Sequence, residues 1–341
     1  TLTHHQSGSV MKKYDIISVD SFSQIFRCFY AMKNLRSKAG LASGAIFGMA
    51  KLLLKLHTEY PSKFGMMAYD SGKVQFRLEL APAYKANRPP MPEDLAAQMP
   101  FIEELITAFG WPIKRCKNFE ADDIIGGVAT HFPGKIAIIS ADKDLSQLVN
   151  ERVEMLVPCS GGFEVRDTAA VREKFDVPPE MIVDYLALLG DASDNIPGVP
   201  GIGPKGAAKL LNEYGSLDKI LSAPALVSNV KLAAKLIDNQ EIIRKNQQLI
   251  SLKLELPEDC QSLEEFCRRE PDWQKIMNIL QRFDLNSLVA AVKKQAGNQV
   301  VEVEPKSGGQ LDLFADLPSK TPAAPAAEPE DVKKATQGLL F

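Results

Sequence analysis

The stretch YDIISVD (residues 14–20) decides the fold: an apolar, β-branched run that closes on an aspartate. Two further runs repeat the pattern, FGMMAYD (64–70) ending at Asp70 and KIAIISAD (135–142) ending at Asp142. Short apolar runs bounded by polar residues read as buried strands. Helical patterns lie between them, such as GAIFGMAKLLLKLHTEY (44–60) and LAAQMPFIEELITAFG (95–110). Strands alternating with helices predict an α/β fold around a mostly parallel central sheet flanked by helices. In such folds ligands bind at the carboxyl ends of the strands. One Asp after a strand is commonly a turn residue or a helix cap. Three at one sheet edge are harder to read that way.

More acids follow in FEADDIIGG (119–127), SADKDLSQLV (140–149) and GDASDN (190–195). Glu120 and Asp123 share a face if helical, with Asp122 beside them; Asp142 and Asp144 flank Lys143; Asp191 and Asp194 are again three apart. Caps and Asx turns account for about half of these acids, but not for their convergence. Gathered like charges repel unless protons or cations compensate. Hard oxygen donors without His or Cys suit Mg²⁺ or Mn²⁺. Two such ions ~4 Å apart would activate water and stabilise the leaving oxygen in phosphodiester hydrolysis. No Ser/His/Asp or Cys/His arrangement competes: besides His4 and His5 there are only His57 and His131.

YKANRPPMPEDL (84–95) carries Lys85 and Arg88 downstream of Asp70, and Pro89, Pro90 and Pro92 break any helix there. Such cations could draw in a phosphate over an acidic metal centre, or simply line a solvated loop. GDASDNIPGVPGIGPKGAAKLL (190–211) nearly matches a mononucleotide phosphate loop, but Pro204 stands where the lysine must be and no Ser or Thr follows Lys205. What remains is a glycine-rich turn opening an amphipathic helix. It fits an anion cradle for a nucleic-acid phosphate and an ordinary helix–turn–helix corner alike.

With 341 residues, 45% of them apolar and 24% charged, the chain has room for one large domain or two of a soluble globular protein. The net charge of −3 gives no general coat for nucleic acid, although residues 201–253 hold eight Lys/Arg against four acids. Five scattered cysteines without C-x-x-C spacing argue against a disulfide framework or a zinc site and for a reducing cytoplasm. No apolar run approaches the ~18 residues of a membrane span. TLTHHQSGSV before Met11 reads as a cloning remnant, so residues 1–13 are set aside. From about residue 176 the pattern is helical, and after Gln295 a Pro/Ala/Gly-rich stretch reads as a flexible tail.

FEADDIIG, SADKDLSQLV, YKANRPPMPEDL and GDASDNIPGVPGIGPKGAAKLL together resemble the 5′ nuclease domain of bacterial DNA polymerase I. They also resemble the stand-alone flap endonucleases and 5′–3′ exonucleases of bacteria and phages. The resemblance spans roughly residues 14–295, with no polymerase blocks after it. It implies a structure-specific 5′ nuclease with a PIN-like core (14–175), an arch (about 72–100), a helix–three-turn–helix DNA-binding region (176–295) and a tail (296–341). Asp20, Asp70, Glu120, Asp122 and Asp142 would bind a first metal with Asp123 nearby; Asp142, Asp144, Asp191 and Asp194 would shape a second. Tyr84, Lys85 and Arg88 would act at the base of the arch, with Arg77 on the same face. Gly201, Ile202, Gly203, Pro204, Lys205 and Gly206 would grip the duplex backbone. The carbonyls of Leu188, Leu189, Pro197, Val199 and Ile202 would bind K⁺. The implied partners are branched or 5′-tailed DNA, RNA-primed DNA among them, acted on by a monomer in replication or repair. A non-catalytic branched-DNA binder of the same fold, or an RNase H-like primer-removing enzyme, are the alternatives; none of the expected carboxylates is missing. In the tail, Gln310, Leu311, Asp312, Leu313 and Phe314 (QLDLF) are similar to the peptide that docks on the bacterial sliding clamp, and QGLLF at 337–341 is a weaker copy.

Overall fold

A computed structural model describes residues 13–72, 74–160, 162–224 and 227–297. Residues 1–12, with His4 and His5, and the peptides at 310–314 and 337–341 lie outside the described residues. The apolar runs form one sheet of β1 (Ile16–Asp20), β2 (Phe64–Ala68), β3 (Ile113–Lys114), β4 (Ile136–Ile139), β5 (Val153–Cys159) and β6 (Gly162–Arg166). Their order is β3-β2-β1-β4-β5-β6. Every pairing is parallel except β5 with β6, an antiparallel hairpin at one edge. All of β1 and β4 is buried, as unbroken apolar strands require when helices cover both faces.

α1 (Ser21–Ala31) and α2 (Gly44–Glu59) join β1 to β2, and α3 (Gln75–Leu80), α4 (Glu93–Ala96) and α5 (Met99–Ala108) join β2 to β3. α6 (Ala121–His131) then carries the chain back across to β4, on the other side of β1. β1 and β4 therefore flank the point where the winding reverses, and the connections leaving them diverge to open a crevice. Asp20 is the last residue of β1, and Asp142 follows β4 by three residues.

The rest is helical, as expected: α7 (Thr168–Phe175), α8 (Ile182–Leu189), α9 (Pro204–Tyr214), α10 (Leu217–Ser222), α11 (Val230–Asp238), α12 (Gln240–Ile250), α13 (Trp273–Arg282) and α14 (Asn286–Ala296). α8 packs against α9 and α12. The expected arch is only partly helical. α3 and α4 are six and four residues long, and turns occupy 82–87.

The regions on either side of residue 176 pack together. Past α12 the chain returns to the sheet: Cys267 bridges to Phe64, and Arg269 N donates to Gly110 O at 2.9 Å. α13 then packs on α5, and α14 on α2. The described residues form one compact unit.

Gly110 lets this returning segment pack closely against the turn between α5 and β3. Its φ is +78°, and a Cβ there would lie 2.0 Å from the Arg269 carbonyl oxygen. Gly110→Ala is expected to cost about 2 kcal/mol or more, read as a lower urea midpoint. An unchanged midpoint would contradict this close packing.

Candidate active site

The carboxyl ends of β1 and β4 are fastened by one buried serine. Ser140 Oγ donates to Asp20 Oδ2 at 2.8 Å and accepts from Asp142 N at 3.0 Å. Asp142 Oδ1 accepts from Asp144 N at 3.0 Å, and Asp20 also caps α1 by accepting from Ser23 N at 3.3 Å. From the end of β2, Asp70 Oδ1 accepts from Ala121 N at 2.8 Å, tying that loop to the first turn of α6.

Burial, and after it crowding, raises the proton affinity of these acids. Burial, then Asp142, pushes the Asp20 carboxyl up to about 7. Burial, with Asp20 and Asp142 beside it, holds Asp122 well above the usual carboxylate range. Asp142 is raised by burial and by Asp194 and Asp191, and Asp144 lies well above the usual range through burial, Asp142 and Asp191. Loops after three strands and the 190–195 turn thus bring their acids into one field. Burial is the largest cause for each, and mutual repulsion adds to it unless cations enter.

Cations from the protein meet it. Glu120 caps α6, and Lys85 Nζ lies 2.9 Å from its Oε2 and 3.8 Å from Asp194 Oδ2. Arg88 Nη2 lies 2.5 Å from Asp194 Oδ1. The buried Tyr84 hydroxyl is 3.2 Å from both Glu120 Oε2 and Asp194 Oδ2. Burial alone would lower the Lys85 pKa; Glu120 and Asp194 outweigh it and keep the ammonium charged. Burial and the same two acids raise the Tyr84 phenol, so it remains a donor. On the far side Lys143 Nζ lies 3.2 Å from Asp191 Oδ2. Burial would raise Asp191 too, but hydrogen bonds from Ser193 and the charge of Lys143 hold it below the usual range.

The Lys85 segment is laced to the 191–195 turn. Lys85, at φ +55°, donates its N–H to Asp194 O at 3.0 Å; Asn87 Nδ2 donates to Ala192 O at 2.8 Å, and Asn195 Nδ2 to Ala83 O at 2.7 Å. Ser140, Lys143, Ser193 and these two asparagines are absent from the sequence-based site. Only Lys143 carried a signal, its place between two acids.

Two expectations are corrected. Asp123 is fully buried, and both its oxygens face Arg77 Nη1 and Nη2 at 2.7 Å while also accepting backbone N–H groups from Glu120 and Lys253. It has no capacity left for a metal. Arg77 is 1% exposed and offers no face to DNA.

Across the turn into α9, Gly201, Gly203, Pro204, Lys205 and Gly206 are exposed, whereas the Ile202 side chain is buried. Gly203 is the N-cap of α9 and Pro204 begins the helix, so the first turn has no side-chain cap. Of the carbonyls named for K⁺, Leu188 O accepts from Val199 N, Pro197 O from Asn246 Nδ2 and Val199 O from Ile202 N. Each carbonyl oxygen has a second lone pair.

Among the described residues no three His, Cys, Asp or Glu side chains already form a closed ligand set. Lys85, Arg88 and Lys143 stand among the acids instead. The donors nonetheless fit a hard divalent cation. They are all oxygens, and Asp144 Oδ1 is buried without a hydrogen-bond partner. His57 meets the Trp273 ring edge-on and His131 bonds Gly127 O, so neither belongs to the site.

Two family models match the chain: "5′-3′ exonuclease, N-terminal resolvase-like domain" over residues 15–176, and "5′-3′ exonuclease, C-terminal SAM fold" over 177–274. A 5′-3′ exonuclease of Buchnera aphidicola is 36% identical over 254 residues, covering 72% of this chain and 83% of the relative. DNA polymerase I of Bacillus caldotenax is 32% identical over 294 residues, covering 85% of this chain and 33% of the polymerase. The chain thus spans about a third of the length of the DNA polymerases I that it matches. Among solved structures, T5 5′-exonuclease with bound zinc superposes at a TM-score of 0.58 and 20% identity, covering 84% of this chain and all of the other. The catalytic core of Rad2 in complex with DNA superposes at 0.56 and 15% identity, covering 82% and 92%. At these identities the two structures establish the shared fold.

The raised Asp20 carboxyl has a thermodynamic consequence. Its proton is held up to about pH 7 in the folded chain and released near pH 4 when unfolded. The stability it contributes is full below pH 4 and is lost as pH rises through 7. In a chelator, Asp20→Asn should therefore raise Tm at pH 8 and change it little at pH 4. An equal shift at both pH values, by scanning calorimetry, would contradict this assignment.

Proposed function

The chain belongs to the 5′–3′ exonuclease family, and on that premise we propose that it is a structure-specific 5′ nuclease. It hydrolyses DNA phosphodiester bonds near single-strand/duplex junctions, as a flap endonuclease and 5′–3′ exonuclease. The observation that carries this reading is the meeting of Lys85 and Arg88 with Glu120 and Asp194 at the β1/β4 edge. Phosphate-binding cations and metal-binding acids stand there within ion-pair distance of each other.

Asp20, Asp70, Glu120, Asp122 and Asp142 would hold one Mg²⁺ or Mn²⁺, and Asp142, Asp144, Asp191 and Asp194 a second. When bound, such ions supply a hydroxide-like nucleophile and charge for the leaving oxygen. The chain's own residues do the rest. Lys85 and Arg88 exchange their carboxylate partners for the scissile phosphate and offset its developing charge. The Tyr84 hydroxyl keeps Glu120 and Asp194 oriented throughout. Ser140 keeps Asp20 and Asp142 in register across the switch point.

Away from the chemistry, Gly201, Gly203, Lys205 and Gly206 would hold a duplex phosphate at the α9 N-terminus. The carbonyls of Leu188, Leu189, Pro197, Val199 and Ile202 would bind K⁺ beside it. Substrates would be branched or 5′-tailed DNA, including RNA-primed strands. The protein would act as a cytoplasmic monomer in replication or repair, tethered to a sliding clamp through 310–314. No helix of the described residues is long and apolar enough to cross a membrane.

The test is cleavage of a labelled double-flap DNA in Mg²⁺. Asp142→Asn should abolish cleavage while retaining flap binding in chelator. Lys85→Ala should lower kcat by ~10²-fold or more, as loss of a transition-state charge partner does. Wild-type cleavage in chelator, or wild-type turnover by either variant, would overturn the proposal.

A further inference from the structure

The Arg77–Asp123 pair joins three parts of the molecule that the chemistry needs together. Arg77 lies on α3, whose chain runs on through a turn to Tyr84 and Lys85. Its two Nη atoms hold Asp123 at 2.7 Å each, and Nη1 also lies 3.4 Å from Glu120 Oε2. Its Nε donates to Leu249 O at 3.3 Å, at the end of α12. Asp123 in turn accepts from Glu120 N at 3.0 Å and from Lys253 N at 2.9 Å. α12 is itself tied to α8 and the glycine-rich turn. Asn246 Nδ2 donates to Ala187 O at 2.9 Å and Pro197 O at 2.7 Å, and Gln247 Nε2 to Asp184 Oδ1 at 2.6 Å.

A buried ion pair carries a desolvation cost that apolar residues of similar volume would avoid, so packing alone does not call for one. What it offers is geometry: a planar guanidinium fork fixes the angle between the elements it bridges. We infer that Arg77 and Asp123 are a positioning pair, setting Glu120 for the metal-binding edge and coupling that edge, through α12, to the turn that would hold duplex DNA. The pair touches neither substrate nor ion. The inference rests on the proposed divalent site.

Two variants test it. Arg77→Lys keeps the charge and loses the fork; Arg77→Met with Asp123→Leu removes both charges at similar volume. Each is measured for Tm, for Mn²⁺ affinity by calorimetry without DNA, and for the ratio of cleavage rates on double-flap and single-stranded DNA. Mn²⁺ affinity should fall ~10–100-fold, as it does when the partner of a metal ligand is removed, and the flap-to-single-strand ratio should shrink toward one. Both changes should appear in the double variant even where its Tm matches wild type. Arg77→Lys decides alone if the double variant does not fold. Wild-type Mn²⁺ affinity and flap preference in a folded variant would overturn the positioning role, whatever happens to Tm. Failure of the wild-type protein to bind Mn²⁺ would instead overturn the divalent site on which it rests.

Discussion

Repulsion among carboxylates at the β1/β4 switch point is the constraint that organises this molecule. Strands that end on acids deliver their charges to a single edge, and burial makes each charge harder to keep. Raised proton affinity is one response, in Asp20, Asp122, Asp142 and Asp144. Recruitment of cations is the other, and Lys85, Arg88 and Lys143 are drawn against Glu120, Asp194 and Asp191. On the proposed reading, metal ions and phosphate would replace the lysines and arginines that now hold this surplus negative charge. On that reading, the same electrostatics that strain the fold would serve phosphodiester chemistry.

The lacing of 83–88 to 191–195 gives that exchange a mechanical side. Asn87, Asn195 and the Lys85 N–H hold the cationic segment down through backbone carbonyls rather than through carboxylates. Lys85 and Arg88 side chains can change partners while the segment that carries them stays in place. Beneath it, the Arg77–Asp123 pair gives the segment and the α6 terminus a common anchor. Positioning and chemistry are thus assigned to different residues of similar charge.

Much of this was legible in the sequence. Asp20, Asp70 and Asp142 announced the sheet edge because apolar strands must end where polarity begins. The order of helices and strands was enough for a mostly parallel sheet. The β5–β6 hairpin escaped because VEMLVPC and GFEVR carry mixed polarity at a sheet edge, where one face is wet. Asp123 and Arg77 were misread for one reason. Charge in a motif suggests a ligand, whereas only tertiary contact reveals that two charges are spent on each other. Ser140 and Asn246 were invisible because an uncharged polar residue has no pattern until its partner, distant in sequence, is known. The return of α13 and α14 to α5 and α2 was hidden as well, since amphipathic helices declare an apolar face but not what it covers.

The central claim is that this edge binds divalent cations through the strand-end acids. Anomalous diffraction from crystals soaked in Mn²⁺ tests it most directly. Two peaks are predicted, one among Asp20, Glu120, Asp122 and Asp142 and one among Asp144, Asp191 and Asp194, with the Lys85 ammonium displaced from Glu120. An edge without Mn²⁺, with Lys85 still on Glu120 at saturating metal, would contradict the account.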